Sequence, residues 1–419
     1  MDTEKMLTLA LDIGCGMLES GAEIRRVENT VSRICNAYGA VYIEVAAISS
    51  LIIADARTPD GKRSVQLRRV KRVRNNLYLL ELFNGISRQV CSSPPPLDEL
   101  GEMISKGKSG RIYPLSLILA VAAITSAAFT VFFGGRLRDA LFSSFVGVVI
   151  FYIDKISKID ISPLAKTALS AFCGATLACI ISMLPFGVNA GSIMIGTVVM
   201  LVPGLAFGSA LRNLLYGDLI SGTVESVRAF LSALMIALGY AAALIIFRRA
   251  YYFQTEPPSI YIKAFSTLIG VIAFAIIFGV KPKHLISIAI GGVFTYSVYQ
   301  IASTAMLSDF VCALSASVAS AAVAEICARV ERAPAIIFLL PCSTPILPGV
   351  SLYNAMTHLL AASNSTALSY FYDATEVGLG IACGVVAVSL TVTISTEMKR
   401  SFTRFCKKLS VLQKYRKNS

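Results

Sequence analysis

Val198-Val199-Met200-Leu201-Val202-Pro203-Gly204-Leu205 and Pro345-Ile346-Leu347-Pro348-Gly349-Val350 are two apolar stretches, each broken by a Pro-Gly pair. The pairs stand 145 positions apart. Proline removes a backbone donor and glycine loosens a helix, so carbonyls lose their partners at both places. Hydrocarbon cannot satisfy those carbonyls. Such breaks persist only where protein or a water-filled cavity covers them. Interrupted segments at corresponding places in two halves point to the binding site of a transporter.

The rest of the chain suits a bilayer. Of 419 residues, 55% are hydrophobic and 15% charged, and the mean hydropathy is +0.69. Residues 167–211 and 333–372 hold no Asp, Glu, Lys or Arg, whereas one helical span needs about 20 residues. A soluble core can be this apolar over one helix, not repeatedly over such lengths. The net charge of +13 does not indicate nucleic acid. Much of it sits in the tail after the last span, at Lys399, Arg400, Arg404, Lys407, Lys408, Lys414, Arg416 and Lys417. That is the pattern of cytoplasmic loops beside anionic lipid. The ten cysteines are scattered and there are two histidines, so no zinc spacing exists. No Walker A sequence is present. Neither a metal nor a cofactor is expected, and the N-terminus lacks a signal-peptide pattern.

Residues 1–110 read as a small α+β domain. Ser20-Gly21-Ala22-Glu23 fits a capping box with Ser20 as N-cap, opening a helix that stops at Gly39. Val41 to Ala54 reads as one or two strands, Pro59-Asp60-Gly61-Lys62 as a turn, and Ser64 to Arg68 as a returning strand. Asn75 to Val90 reads as a second helix with Leu77, Leu80, Leu82 and Ile86 near one face, ended by Pro94-Pro95-Pro96. The basic run from Arg68 to Arg74 is either a solvated face or a contact to anionic lipid or the pore mouth. An all-α polytopic membrane domain follows. Its spans are expected at 113–133, 139–153, 165–184, 190–210, 225–247, 261–279, 284–302, 309–328, 334–360 (broken) and 376–396. The halves are 111–250 and 251–398, with a basic tail at 399–419. Five spans per half turn the second half over, giving two inverted five-helix repeats. Aligning the Pro-Gly pairs also aligns Leu214-Leu215 with Leu359-Leu360. Lys155, Lys158, Arg212, Arg228, Lys281, Lys283, Arg329 and Arg332 then fall in inside loops, against Arg136, Arg138, Arg248, Arg249 and Lys263 outside, and the balance puts both termini in the cytoplasm.

Exporting a zwitterion needs partners for both charges in a chamber shielded from lipid. A carboxylate takes Arg, hydroxyls or helix N-termini; an ammonium takes carboxylates and carbonyls. Arg212, Asp218 and Glu225 supply both signs around the first break, and Asn213 and Ser221 add hydrogen bonds. Ser343, Thr344, Ser351, Tyr353 and Asn354 surround the second. Arg212, Asp218 and Arg228 equally fit a loop between spans, where charge is ordinary. Glu325 reads as a helical partner of Arg329 or, more sharply, as a proton-coupling carboxylate alongside Glu225. His358 reads as an interior histidine.

The run Pro203-Gly204 … Arg212-Asn213 … Gly217-Asp218 … Ser221-Gly222 resembles the signature of the threonine/serine exporter family. Ser20-Gly21-Ala22-Glu23, Arg26-Val27-Glu28, Arg72-Val73 and Asn76-Leu77 resemble its cytoplasmic part, and Pro345, Pro348-Gly349 and Tyr353 its second membrane half. Ile24 departs from the hydroxyl residue more usual there. The resemblance implies ten spans and export of threonine and serine across the bacterial inner membrane, driven by the proton motive force. Related two-component members are associated with succinate-type dicarboxylates. The partners implied are that substrate, protons and the lipid bilayer, with a homo-oligomer left open; nucleic acid is not expected, since the basic run lacks interleaved aromatics. A passive channel and a tethered hydrolase are the rivals. Residues 1–110 contain no histidine, so a Ser-His-Asp site there is excluded.

Overall fold

The computed structural model describes residues 2–70, 76–110, 112–201, 210, 213–214, 218–247, 258–360 and 363–417. The chain opens with helix α1 (Thr3–Glu19), whose otherwise apolar run is interrupted by Asp12. Asp12 is accommodated by an ion pair with Arg68 at 3.0 Å. Ser20 does not cap the following helix. It ends α1, donating its hydroxyl back to the Gly16 carbonyl at 2.6 Å, and Gly21 at φ +94° makes the turn. The N-cap position of α2 (Ile24–Ala37) is Glu23, with no side-chain cap bond. The expected capping box is therefore absent, because α1 already occupies Ser20.

Strands β1 (Tyr42–Ile48), β2 (Leu51–Arg57) and β3 (Arg63–Arg69) form an antiparallel sheet in that order. The central strand buries Ile52, Ala54 and Ala56 in the domain core with α1 and α2. Helix α3 (Leu77–Ser92) is capped by Asn76 and buries Leu77, Leu80, Phe83, Ile86 and Val90. Leu82 lies off that face and packs on Gly107 of α4 (Leu97–Ser109), a helix the proline run had hidden. Of the basic run, Lys71 to Arg74 lie outside the described residues.

The remaining helices are α5 (Leu115–Phe132), α6 (Leu137–Phe151), α7 (Pro163–Met183), α8 (Ala190–Val198), α9 (Leu219–Ile246), α10 (Ile260–Ile277), α11 (Leu285–Thr304), α12 (Asp309–Val330), α13 (Ile336–Cys342), α14 (Gly349–Leu360) and α15 (Asn364–Lys417). Every segment expected to span contains helix. By length and composition, seven described helices can cross a bilayer (α5, α7, α9, α10, α11, α12, α15), and the bent pair α13–α14 makes an eighth. The expectation of ten is not reached on that measure. Helix α6 has 15 residues and α8 has nine, short of the roughly 20 that a span takes.

The offset of 145 recurs through these elements. Helices α5 and α10 begin at Leu115 and Ile260 and end at Phe132 and Ile277, each pair separated by it. Phe129, Phe133 and Gly134 correspond to Phe274, Phe278 and Gly279, and both glycines sit at positive φ (+97° and +76°). Gly147 packs on Ser126, and Gly292 on Val271, again one offset away. Gly239 lets α9 settle onto Ala168 and Ala171 of α7; its counterpart Gly384 lets α15 settle onto Leu314 and Ser317 of α12. The side chains between the aligned positions differ, so the sequence reading had aligned little beyond the Pro-Gly pairs. The offset shows in the contacts because glycine is retained where backbones touch. Phe129 and its counterpart Phe274 meet edge-on, centroids 5.5 Å apart. Tyr113, just before α5, donates to the Val280 carbonyl just after α10 at 2.7 Å.

The N-terminal domain docks on one end of the second set of helices. Leu77 N–H donates to the Phe278 carbonyl at 2.8 Å. Glu81 receives Lys281 at 3.1 Å, Lys283 at 3.2 Å and His284 at 3.3 Å. One continuous apolar core runs from Phe83 and Val90 to Val280, Ile337 and Phe338.

Candidate functional site

Helix α8 ends well short of Pro203. Its C-cap is Val199, and the amides of Met200 and Leu201 reach back only three residues, to Thr197 and Val198. The last α-helical carbonyls are thereby freed. All nine residues of α8 are buried. In the second half, Pro341 sits inside α13, Thr344–Ile346 forms a 3-10 turn, Leu347 is extended, and α14 restarts at Gly349. The two pieces bend by 40°.

The end of α8 meets the start of α14. A Cβ placed on Gly349 would stand 3.7 Å from Val199. Tyr353 is buried on α14, its hydroxyl 3.7 Å from Met194 Sδ of α8. Tyr240 of α9 donates to the Met194 carbonyl at 3.2 Å, and its ring meets Tyr353 edge-on at 6.1 Å. Ser351 and Asn354 of α14 are half-buried beside Tyr353. Ser343 and Thr344 donate to carbonyls of Leu339 and Pro341, serving their own turn.

Of the groups around the first break, Pro203, Gly204 and Arg212 lie outside the described residues. Asn213 and Glu225 come together, the amide donating to the carboxylate at 3.0 Å. Asp218 is a helix cap. It accepts from the Ser221 amide at 3.1 Å and begins α9. Pro348 precedes the restart of α14, accepting from Leu352 N–H at 3.1 Å. Ser221 is fully buried, its hydroxyl without a hydrogen-bond partner among the described residues. Glu325 lies elsewhere, half-buried on α12 against the N-terminal domain, and makes no ion pair with Arg329 among the described residues.

Sequence reasoning missed two polar clusters. Ser126, Thr130 and Ser143 bond to one another beneath α8, with Thr130 donating to the Ser126 carbonyl at 2.8 Å and sharing a hydroxyl contact with Ser143 at 2.7 Å. Gly196 of α8 lies directly on Thr130. Three small hydroxyls on three turns are too common in apolar helices to signal this beforehand. The other cluster is Glu81, His284 and Glu331, where His284 bonds to Glu331 through Nδ1 and pairs with Glu81 through Nε2. Its members are distant in sequence, so only docking unites them. Among the described residues no group of His, Cys, Asp and Glu is arranged to hold a metal.

The family model for the threonine/serine exporter matches residues 8–247. The chain belongs to that family. A second model of the family, described as threonine/serine exporter ThrE, matches residues 263–391, so the two models together take in both interruptions. The probable succinate transporter subunit YjjP of Escherichia coli (strain K12) is 25% identical over 265 residues, covering 59% of this chain and 97% of that protein. The protein of the same name from Klebsiella aerogenes is 24% identical over 246 residues, covering 58% and 95%. No solved structure matches. The family is one of membrane exporters, and several apolar helices of this chain are long enough to cross a bilayer.

Proposed function

We propose that this chain is a secondary transporter that exports small hydrophilic metabolites, threonine and serine foremost, across the bacterial inner membrane at the expense of the proton motive force. The observation that carries the reading is the meeting of α8 and α14, two interrupted helices brought into contact at Val199 and Gly349. Broken helices facing each other at the junction of two repeats supply carbonyls and helix ends to a small polar solute. The constant offset between α5 and α10 is the support for two five-helix halves at 111–250 and 251–398, read here as inverted. The docking of the N-terminal domain on Lys281, Lys283 and Arg332 supports a cytoplasmic location for it, on the basic side. Glu225 and Asn213 at the first break, with Tyr353, Asn354 and Ser351 at the second, line the proposed path; Glu225 and Glu325 are the carboxylates offered for proton coupling.

The names of the two relatives favour a second reading, a succinate-type dicarboxylate as cargo. Counterflow in liposomes decides between them. Exchange of labelled serine or threonine supports the first reading, and exchange of succinate alone supports the second. Exchange of none by folded protein refutes both. A pH gradient that leaves uptake unchanged would replace the pump with a passive channel.

A further inference from the structure

A cavity of about 320 Å³ lies where the N-terminal domain meets α12 and the turn after it, away from the two interruptions. Arg26 of α2, Arg88 of α3, Arg329 of α12 and Arg332 of the turn line it, with Glu325 the acidic side chain among them. Four cations against one anion leave three positive charges unmatched within the lining. Arg26 is oriented by Asn84, to which it donates at 2.8 Å. Burial pushes its guanidinium down from the ordinary value, Glu23 opposes this, and Arg88 adds to it. Arg88 donates to the Arg332 carbonyl at 3.0 Å, closing the edge of the cavity across the domain boundary.

Arg332 holds φ +54°, a conformation that favours glycine. The residue 145 positions earlier is Gly187, at φ +62°. The first half thus uses glycine at this left-handed position. The second half keeps a long cationic side chain there, against the backbone preference, and that side chain forms the cavity wall.

We infer that this cavity binds a small carboxylate-bearing metabolite, held by the guanidinium groups of Arg26, Arg88, Arg329 and Arg332. Guanidinium presents paired N–H donors that match a carboxylate in geometry and charge. A bound anion also relieves the mutual repulsion of the four cations. The volume stands at the small end of ligand sites. Glu325 gives an α-ammonium its own partner, so serine and threonine fit both signs of the lining, whereas the second carboxylate of succinate meets Glu325. The inference rests on the exporter reading only in the choice of ligands.

The test is equilibrium binding to the full-length chain in detergent, with labelled L-serine and labelled succinate in separate arms and inorganic phosphate as competitor. Arg332→Gly relaxes the backbone, so it should melt no lower than the parent while serine binds about tenfold more weakly or one class of sites disappears. Arg88→Gln should weaken serine binding in the same direction. Unchanged affinity and stoichiometry in both variants overturns the inference. So does a parent chain that binds neither carboxylate, or binds phosphate alone. Counterflow run in parallel keeps the two proposals apart: exchange that persists with binding indifferent to Arg332 removes this site and leaves the transporter standing.

Discussion

Replacing Glu81 by Gln should loosen the N-terminal domain from the membrane helices. Burial alone would raise the Glu81 carboxyl, but the close approach of His284, the hydrogen bond from Lys281 and the charges of both outweigh it, lowering it from 4.5 to about 2. One unit is about 1.4 kcal/mol of differential interaction, so the shift corresponds to about 3 kcal/mol of docking free energy. The side chain is 11% exposed, whereas its partner Lys283 is 57% exposed, and solvent screening of that pair brings the expectation to about 2–3 kcal/mol. The sign follows from the direction of the shift. A carboxyl held below its unfolded value contributes fully above about pH 4.5, and the contribution disappears as pH falls toward about 2. Hydrogen exchange at the Leu77 amide reads the opening directly, because that amide bridges to Phe278 across the interface. The variant should exchange there roughly 30- to 150-fold faster at neutral pH, with the difference shrinking below about pH 4.5. Equal exchange in parent and variant at pH 7 would show that the apolar core, not the ion-pair cluster, holds the domain in place.

Glu225→Gln keeps an acceptor for Asn213, so the protein should insert and melt normally; loss of serine counterflow is expected of an amino-acid carrier, and retained succinate exchange of a dicarboxylate carrier. Gly349→Leu extends a side chain beyond the 3.7 Å gap to Val199 and should abolish transport without loss of membrane insertion; full activity would remove the reason for siting the path there. Gly384→Ala puts a Cβ 2.8 Å from the Leu314 carbonyl oxygen, a cost of about 1–3 kcal/mol in a detergent melt. Gly85→Ala, with open space on an exposed helix face, should instead gain about 0.5–1 kcal/mol.

Hydrophobic length alone carried the membrane class, because uncharged runs of this extent have no other stable setting. Local turn chemistry carried the end of α2 at Gly39 and the β2–β3 hairpin turn at Gly61, both glycines at positive φ. In the second half Pro348-Gly349 stands where α14 restarts, since a backbone donor is lost wherever proline stands; Pro203-Gly204 lies outside the described residues. Three things needed the tertiary structure. Ser20 went to the end of α1 rather than the start of α2, since two neighbouring helices compete for one residue. The offset of 145 beyond the Pro-Gly pairs emerged only from helix bounds and from backbone contacts at Gly147, Gly292, Gly239 and Gly384, where close approach restricts the residue while the lipid-facing surface accepts many apolar side chains. The roles of the charged groups also needed it: Asp218 is a helix cap, whereas Lys281 and His284 meet Glu81 some 200 residues away in sequence. Periodicity along a chain reports neighbours within a helix, and it is blind to which distant charges docking will bring face to face.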